Sequence, residues 1–362
     1  MGGKHSRNAA AIRVKFTSAD NARPRRRPLT GCVIKAAVVG LGWWGRKVVG
    51  DLEGSEHVQI VAGVDVDPGA RDEMTARLEH VHADFEAVLH DDSIEAVILC
   101  TPHKFHTDQI IAAAGCGKHV FCEKPLSTSG DDAQRAVDAI TAAGLQLGIG
   151  HERRFEPAIV ALRRAIMDGE LGTPLVFEGN FSQDKFLTLP ADNWRLSAVE
   201  APVGPLSATG IHLVDLAISI FGRPTEVWAR LSTQATNFAN GDTLAITLAF
   251  EKGQTALITA ILATPFVGRV TLLGSEGWVE IRDRNHPESP EGWDVTRQVR
   301  GEAAESAFYP PHGSVRENIE AFAKAVAGVT DYPIPLEEMV ANARTFEAIT
   351  RSALRGSVEP VR

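Results

Sequence analysis

The sequence predicts an α/β fold in two parts: a doubly wound parallel sheet at the N-terminal side, then an α+β part with a large, mostly antiparallel open sheet. Three observations predict it. Up to about residue 150, short β-branched runs alternate with helical patterns at the spacing of βαβ units. Beyond that point apolar runs follow one another, joined by short turns such as Glu251-Lys252-Gly253 and Gly274-Ser275-Glu276, as in antiparallel hairpins. The 362 residues are enough for two cores of about 150 residues each.

The elements follow in order. Residues 34–39 read as a strand and 44–52 as a helix; 58–66 as a strand and 68–78 as a helix, with Asp67 as cap and Pro68 at its first position. Strands at 96–100, 119–122 and 145–149 alternate with helices at 105–114 and 131–143. A helix at 157–167 ends at Gly169. Strands are then expected near 174–182, 226–234, 243–250, 254–262, 268–273 and 277–282, with a helix near 207–221 among them and two more near 314–327 and 336–354. In the strand at 243–250, Leu244, Ile246, Leu248 and Phe250 face one way. Thr243, Ala245, Thr247 and Ala249 make a flat opposite face, suited to solvent or to the sheet of a second copy.

Charge is uneven. The chain carries 37 basic and 46 acidic residues, a formal net charge of −9. Residues 1–30 hold eight Lys/Arg and one Asp and read as a disordered basic tail; the doubly wound part is expected at 31–150 and the α+β part at 151–362. So acidic a body argues against nucleic acid and anionic membrane as partners, and no stretch of 18 apolar residues suggests a membrane span. Arg25-Arg26-Arg27 is twin-arginine-like, but the apolar run after it, Val33–Val39, reads as a core strand that cleavage would destroy. Cys32, Cys100, Cys116 and Cys122 lack paired metal spacing, and no metal is expected; reduced, buried thiols of a cytoplasmic protein are.

Gly40-Leu41-Gly42-Trp43-Trp44-Gly45 is G-x-G-x-x-G, placed between a strand and a helix as a dinucleotide-binding turn requires. Gly40 permits the tight turn, Gly42 lets the backbone approach a pyrophosphate, and Gly45 lets helix pack on strand. Asp65 lies 20 residues past Gly45, at the end of the second strand, where a carboxylate binds a ribose diol and repels a 2′-phosphate. NAD is therefore expected over NADP, with Arg71 the nearby cation that could favour the latter. Cys122-Glu123-Lys124-Pro125 ends a strand at the sheet edge where ligands bind. Lys124 there suits proton transfer with Glu123 pairing it, or the two form a surface pair before a turn.

Thr101-Pro102 with His106, the run from Ala114 through Cys122-Glu123-Lys124-Pro125-Leu126, His151–Phe155, Asn193-Trp194-Arg195 and Gly204–Asp215 together resemble the glucose–fructose oxidoreductase / inositol dehydrogenase / rhizopine catabolism (Gfo/Idh/MocA) family, over about residues 33–350. The resemblance implies a Rossmann domain followed by an open-sheet domain, oligomerisation as a homodimer or homotetramer through that sheet, and oxidation or reduction of a sugar or cyclitol hydroxyl with NAD(P). It implies Lys124 and His212 as catalytic residues. It places the cofactor against Gly40–Gly45, Asp65, Thr101, Pro102, His106, Glu123 and Lys124, and the substrate near Arg153, Trp194, Arg195 and His212. His119 and His151 are expected to be structural, and of Arg153 and Arg154 one is expected in the cleft and the other on a carboxylate. Asp215, one turn past His212, is a candidate to orient the imidazole.

The sequence departs from the family at Ala208, where an Asp four residues before the histidine is usual. Three readings follow: His212 works alone with Lys124 polarising the oxygen; another carboxylate, such as Asp184, Asp192 or Glu200, substitutes; or redox turnover has lapsed. The expected activity is NAD-dependent oxidation of a secondary hydroxyl of a sugar, sugar derivative or cyclitol. The rivals are an NAD-using glycoside hydrolase or lyase that works by transient oxidation, and a non-catalytic sensor of dinucleotide and sugar.

Overall fold

The computed structural model describes residues 33–362; the basic tail and Cys32 lie outside the described residues. The first part runs β1 (Ile34–Val39), α1 (Trp43–Asp51), β2 (Val58–Val64), α2 (Pro68–Met74), β3 (His80–His82), α3 (Glu86–Leu89), β4 (Ala96–Leu99), α4 (His106–Gly115), β5 (His119–Cys122), α5 (Gly130–Ala143) and β6 (Leu147–Ile149). Its six strands are parallel in the order β3-β2-β1-β4-β5-β6. The central strands β1 and β4 are nearly all buried, as parallel strands covered on both faces must be.

The second part runs α6 (Pro157–Met167), β7 (Pro174–Ser182), α7 (Ile211–Phe221), β8 (Pro224–Ser232), β9 (Thr243–Phe250), β10 (Thr255–Ile261), β11 (Val267–Gly274), β12 (Gly277–Asp283), β13 (Trp293–Val299), β14 (Glu305–Tyr309), α8 (Ser314–Val326), α9 (Leu336–Arg355) and β15 (Glu359–Pro360). Nine strands are ordered β14-β13-β12-β11-β7-β10-β9-β8-β15, antiparallel except at the β7–β10 pair. Leu244, Ile246, Leu248 and Phe250 of β9 enter the core beneath the helices, and the Thr/Ala face stays on the other side. Registers there align Trp228, Thr247, Leu257 and Glu178 in one row across the sheet.

Two C-terminal helices join the parts. Ile319, Phe322 and Ala323 of α8 share a core with Val38, Ile98 and Phe121 of the parallel sheet. Helix α9 places Met339 and Ala343 in the core on the other face of that sheet, and Phe346 and Ile349 among the side chains beneath the nine-stranded sheet. The sequence reading missed β3, β13, β14 and β15. The first and last are edge strands of three and two residues, and β14 is mostly exposed, so these three carry no strong alternation. The helix expected near 207–221 is α7 preceded by a π-helical turn, Leu206–Gly210. No helix of the described residues is long and apolar enough to cross a membrane.

Candidate active site

Strand ends make the site. At the carboxyl edge of the parallel sheet β1 runs into Gly40, β4 into Cys100 and Thr101, β5 into Glu123 and Lys124, and β6 into Gly150, His151 and Glu152. Leu99, Cys122 and Ile149 are in register across β4, β5 and β6, so the residues that follow them emerge side by side. Asn318 and Tyr332 fasten the β6 end: the Asn318 amide and the Tyr332 hydroxyl both donate to the Ile149 carbonyl, at 2.9 and 3.1 Å.

The glycine turn behaves as its spacing demands. Gly40 has φ +94°, and a Cβ there would lie 2.8 Å from the Cys100 carbonyl. A Cβ on Gly45 would fall 1.8 Å from the Gly40 oxygen, whereas one on Gly42 would meet nothing within 4 Å. Gly42 therefore presents bare backbone to open space at the start of α1, and no side chain caps that helix end. The Leu41 side chain is in the core and its N–H donates to Asp65 Oδ2 at 2.7 Å; Asp65 Oδ1 accepts from the Asp67 N–H at 2.9 Å. Each carboxylate oxygen keeps a further lone pair for a diol. Arg71 reaches back, its Nη1 donating to the carbonyls of Asp65 (2.8 Å) and Val66 (3.0 Å). These residues fit a dinucleotide.

A cleft of about 880 Å³, open to solvent, continues from this turn. Trp43, Trp44, Cys100 and Thr101 line one side; Phe181, Gln183, His286 and Glu288 line the other. Lys124 and His212 meet between them. Lys124 Nζ donates to the carbonyls of Ala208 (2.9 Å) and Ser207 (3.4 Å) in the π-helical turn. Burial pulls its pKa down, opposed by the carboxylates of Glu152 and Glu123. His212 is buried, and burial together with the Lys124 charge holds its imidazole well below the usual range. Burial pushes Glu123 up to about 7, and the neighbouring Glu152 reinforces this. Gly150 makes room for that carboxylate: a Cβ there would lie 2.4 Å from Glu123 Oε2.

Several expectations need correction. His106 is fully buried, with Nδ1 2.8 Å from the Pro125 carbonyl and Nε2 2.9 Å from that of Thr101; it braces two strand ends and has no nitrogen left for a cofactor. Neither Arg153 nor Arg154 is in the cleft. Arg153 is buried between Glu156 and Asp283, and Arg154 between Asp215 and Glu338. Asp215 is thereby committed to Arg154 and approaches His151 (3.6 Å), not His212. Asp184 and Asp192 are exposed and Glu200 pairs with Lys104, so none of the three substitutes for residue 208. Trp194 and Arg195 do line the cleft: Trp194 meets the edge of His103 at 4.9 Å, and the Arg195 guanidinium lies 4.4 Å from the Trp194 ring.

Residues 34–151 match the oxidoreductase family with NAD-binding Rossmann fold, and residues 159–280 match the GFO/IDH/MocA C-terminal domain. The chain belongs to the Gfo/Idh/MocA family of oxidoreductases. The uncharacterized oxidoreductase YrbE of Bacillus subtilis is 30% identical over 233 residues, 62% of this chain and 66% of that protein. The D-xylose 1-dehydrogenase (NADP(+)) 2 of Haloferax volcanii is 29% identical over 322 residues, 86% of this chain and 94% of that one. The crystal structure of aldose-aldose oxidoreductase from Caulobacter crescentus complexed with glycerol superposes with a TM-score of 0.81 at 23% identity, covering 91% of this chain and 100% of that chain; it attests the shared fold.

Within this family member the residue that sequence reasoning passed over is Glu152. It is buried, lines the cleft and places Oε2 3.7 Å from His212 Nδ1. The signal was present: a lone acid three residues beyond the end of an apolar strand, on the edge where β1, β4 and β5 already delivered site residues. Gln183 and His286 were also missed, because segments distant in sequence carry them to the cleft, and so was His103, which directly follows Thr101-Pro102.

Proposed function

We propose that this protein is an NAD-dependent dehydrogenase that oxidises a secondary hydroxyl of a sugar, sugar derivative or cyclitol. The observation that carries this reading is the meeting of Lys124 and His212 in one cleft that continues from the glycine turn. NAD, when bound, supplies the hydride acceptor. Lys124, anchored by two carbonyls, holds its remaining N–H toward the cleft and stabilises the oxygen as it gains negative charge. His212, kept neutral by burial and by the nearby cations, takes the hydroxyl proton. The alcohol thus loses a hydride from carbon and a proton from oxygen and becomes a carbonyl. Trp194 offers an apolar ring face to the substrate, and Arg195, with no carboxylate in ion-pair range among the described residues, offers donors to its oxygens.

Asp65 supports NAD as the cofactor, by its free lone pairs and its charge. The uncovered Trp228, Thr247 and Leu257 row supports assembly of a homo-oligomer through the nine-stranded sheet. Light scattering near the 39.0 kDa of one chain at micromolar concentration would refute that assembly. The activity is tested by following absorbance of NADH during incubation with a panel of sugars and cyclitols. NADH formed in step with substrate loss is the expected result. Product without net NADH would replace this reading with hydrolysis or elimination, and binding without either would replace it with sensing.

A further inference from the structure

The cleft has a carboxylate where the helix has none. Position 208 is Ala, and its carbonyl is taken by Lys124. On the opposite wall, β6 ends at Ile149 and the chain turns at once: the His151 N–H donates to the Ile149 carbonyl at 2.8 Å, and a 3₁₀ turn, Glu152–Phe155, begins. That turn delivers Glu152 beside the two residues already assigned chemistry. Burial raises the Glu152 pKa, Lys124 is the strongest of the neighbouring charges opposing that rise, and the His212 ring stands with Nδ1 3.7 Å from Oε2. Among the described residues, Nδ1 is buried with no hydrogen-bond partner.

We propose that Glu152 is the positioning residue of His212: its carboxylate faces Nδ1 at 3.7 Å, favours by its charge the Nδ1–H tautomer that leaves the Nε2 lone pair facing the cleft, and stabilises the imidazolium formed when a substrate hydroxyl gives up its proton. The role in proton transfer rests on the dehydrogenase reading above; the tautomer does not. The logic is that of a carboxylate behind a histidine general base, which acts by orientation and charge without itself taking the proton. Every other charge facing the ring opposes its protonation. Lys124 comes from the end of β5, His151 and Arg153 from the turn after β6, and His286 from the segment after β12. Asp215, on the same helix as His212, is held by Arg154. Glu152 is thus the one carboxylate among the described residues placed to favour the charged imidazole.

The experiment uses the full chain labelled with ¹⁵N-histidine. Long-range ¹H–¹⁵N spectra, with the His212 signals assigned by His212→Asn, read the tautomer directly and need no substrate. The expected result is the Nδ1–H form in wild type, retained in Glu152→Gln, whose amide oxygen still turns a partial negative charge toward Nδ1, and replaced by the Nε2–H form in Glu152→Leu. An Nε2–H ring in wild type, or an unchanged ring in a folded Glu152→Leu, overturns the proposal. The second readout is kinetic, with the sugar or cyclitol the panel turns over. Glu152→Gln should lower kcat about tenfold with KM within about threefold, and move the acid limb of kcat down by about one pH unit, because only opposing charges then face the ring. NAD affinity should not change. A wild-type rate and pH profile in Glu152→Gln also overturns the proposal, even if Glu152→Leu fails to fold. A panel with no turnover at all refutes the dehydrogenase reading and leaves the tautomer result to stand or fall separately.

Discussion

The two ends of the cleft are built in different ways. The proposed nucleotide end centres on residues 40–71 and is built mainly from backbone: a positive φ at Gly40, an uncrowded Gly42, a close approach at Gly45 and free N–H groups at the start of α1. The proposed catalytic end takes Lys124 from the end of β5, Glu152 from the turn after β6 and His212 from α7, with Arg195 and His286 from two other segments. There the work is done by side chains whose charge states depend on what buries them. A backbone device is written in local sequence, since glycine spacing nearly determines it. A side-chain constellation exists only after the sheet has brought its strand ends together.

If the two ends are separable in function, Lys124→Ala gives the largest effect. It removes the one ammonium at the reacting oxygen, so kcat should fall about 10²–10⁴-fold while calorimetry gives NAD affinity within about twofold of wild type. A parallel loss of NAD affinity would break the comparison by making Lys124 part of the nucleotide end. The reciprocal variant is Gly45→Ala. Its Cβ would fall 1.8 Å from the Gly40 oxygen, which cannot yield without moving α1 off β1. Overpacking of that kind costs about 1–3 kcal/mol or more, and it should weaken NAD binding strongly with the His212 tautomer unchanged. Retained NAD affinity would show that the turn tolerates what its geometry forbids.

The same contrast explains what was legible. The order of elements, the parallel sheet and the antiparallel hairpins follow from periodicity and turn residues, because burial on one or two faces writes itself into every strand of reasonable length. Among the site residues, Gly40, Gly42, Gly45, Asp65 and Lys124 sit where strand ends alone would put them. His106 and Arg153 looked like ligand residues because polar side chains in a motif look alike in sequence. Only the fold shows that two carbonyls take up the one and two carboxylates the other. Glu152 was hidden for the opposite reason: its value depends on Lys124 and His212 being across from it, and neither is near it in the chain.

The catalytic end also carries a stability signature. Glu123 has its pKa pushed up to about 7 by burial, from an ordinary 4.5. Its folded-state pKa exceeds the unfolded one, so between about pH 4.5 and 7 the native state holds a proton that the unfolded state releases, and stability falls as pH rises through that window. Glu123→Gln removes the titration. The variant should match wild type near pH 4.5, gain on it as pH rises, and reach a constant advantage of up to about 3 kcal/mol above pH 7. Melting temperatures of the cofactor-free protein across that range measure it. A constant difference at every pH would mean that Glu123 keeps its charge throughout, and would reassign it to an ion pair with Lys124.

The smallest effect belongs to the nucleotide end and sharpens its one ambiguity. Asp65 and Arg71 stand side by side, and they argue for different cofactors. The Asp65 carboxylate is held by the N–H groups of Leu41 and Asp67, which orient it without consuming all its lone pairs. Arg71 is held only by carbonyls, through one nitrogen, and no carboxylate pairs it among the described residues. A ribose diol therefore finds an acceptor in Asp65, while a 2′-phosphate finds repulsion from Asp65 and attraction from Arg71 within one turn of chain. The carboxylate is preoriented and the guanidinium is at the solvent-facing side, so NAD should bind more tightly, with NADP still measurable. Arg71→Ala should then leave NAD affinity within about twofold and weaken NADP about tenfold, the worth of one charge-assisted contact at a partly exposed site. Equal losses for both cofactors would mean that Arg71 acts by shaping the loop at Asp65 and Val66, and the preference for NAD would then rest on Asp65 alone.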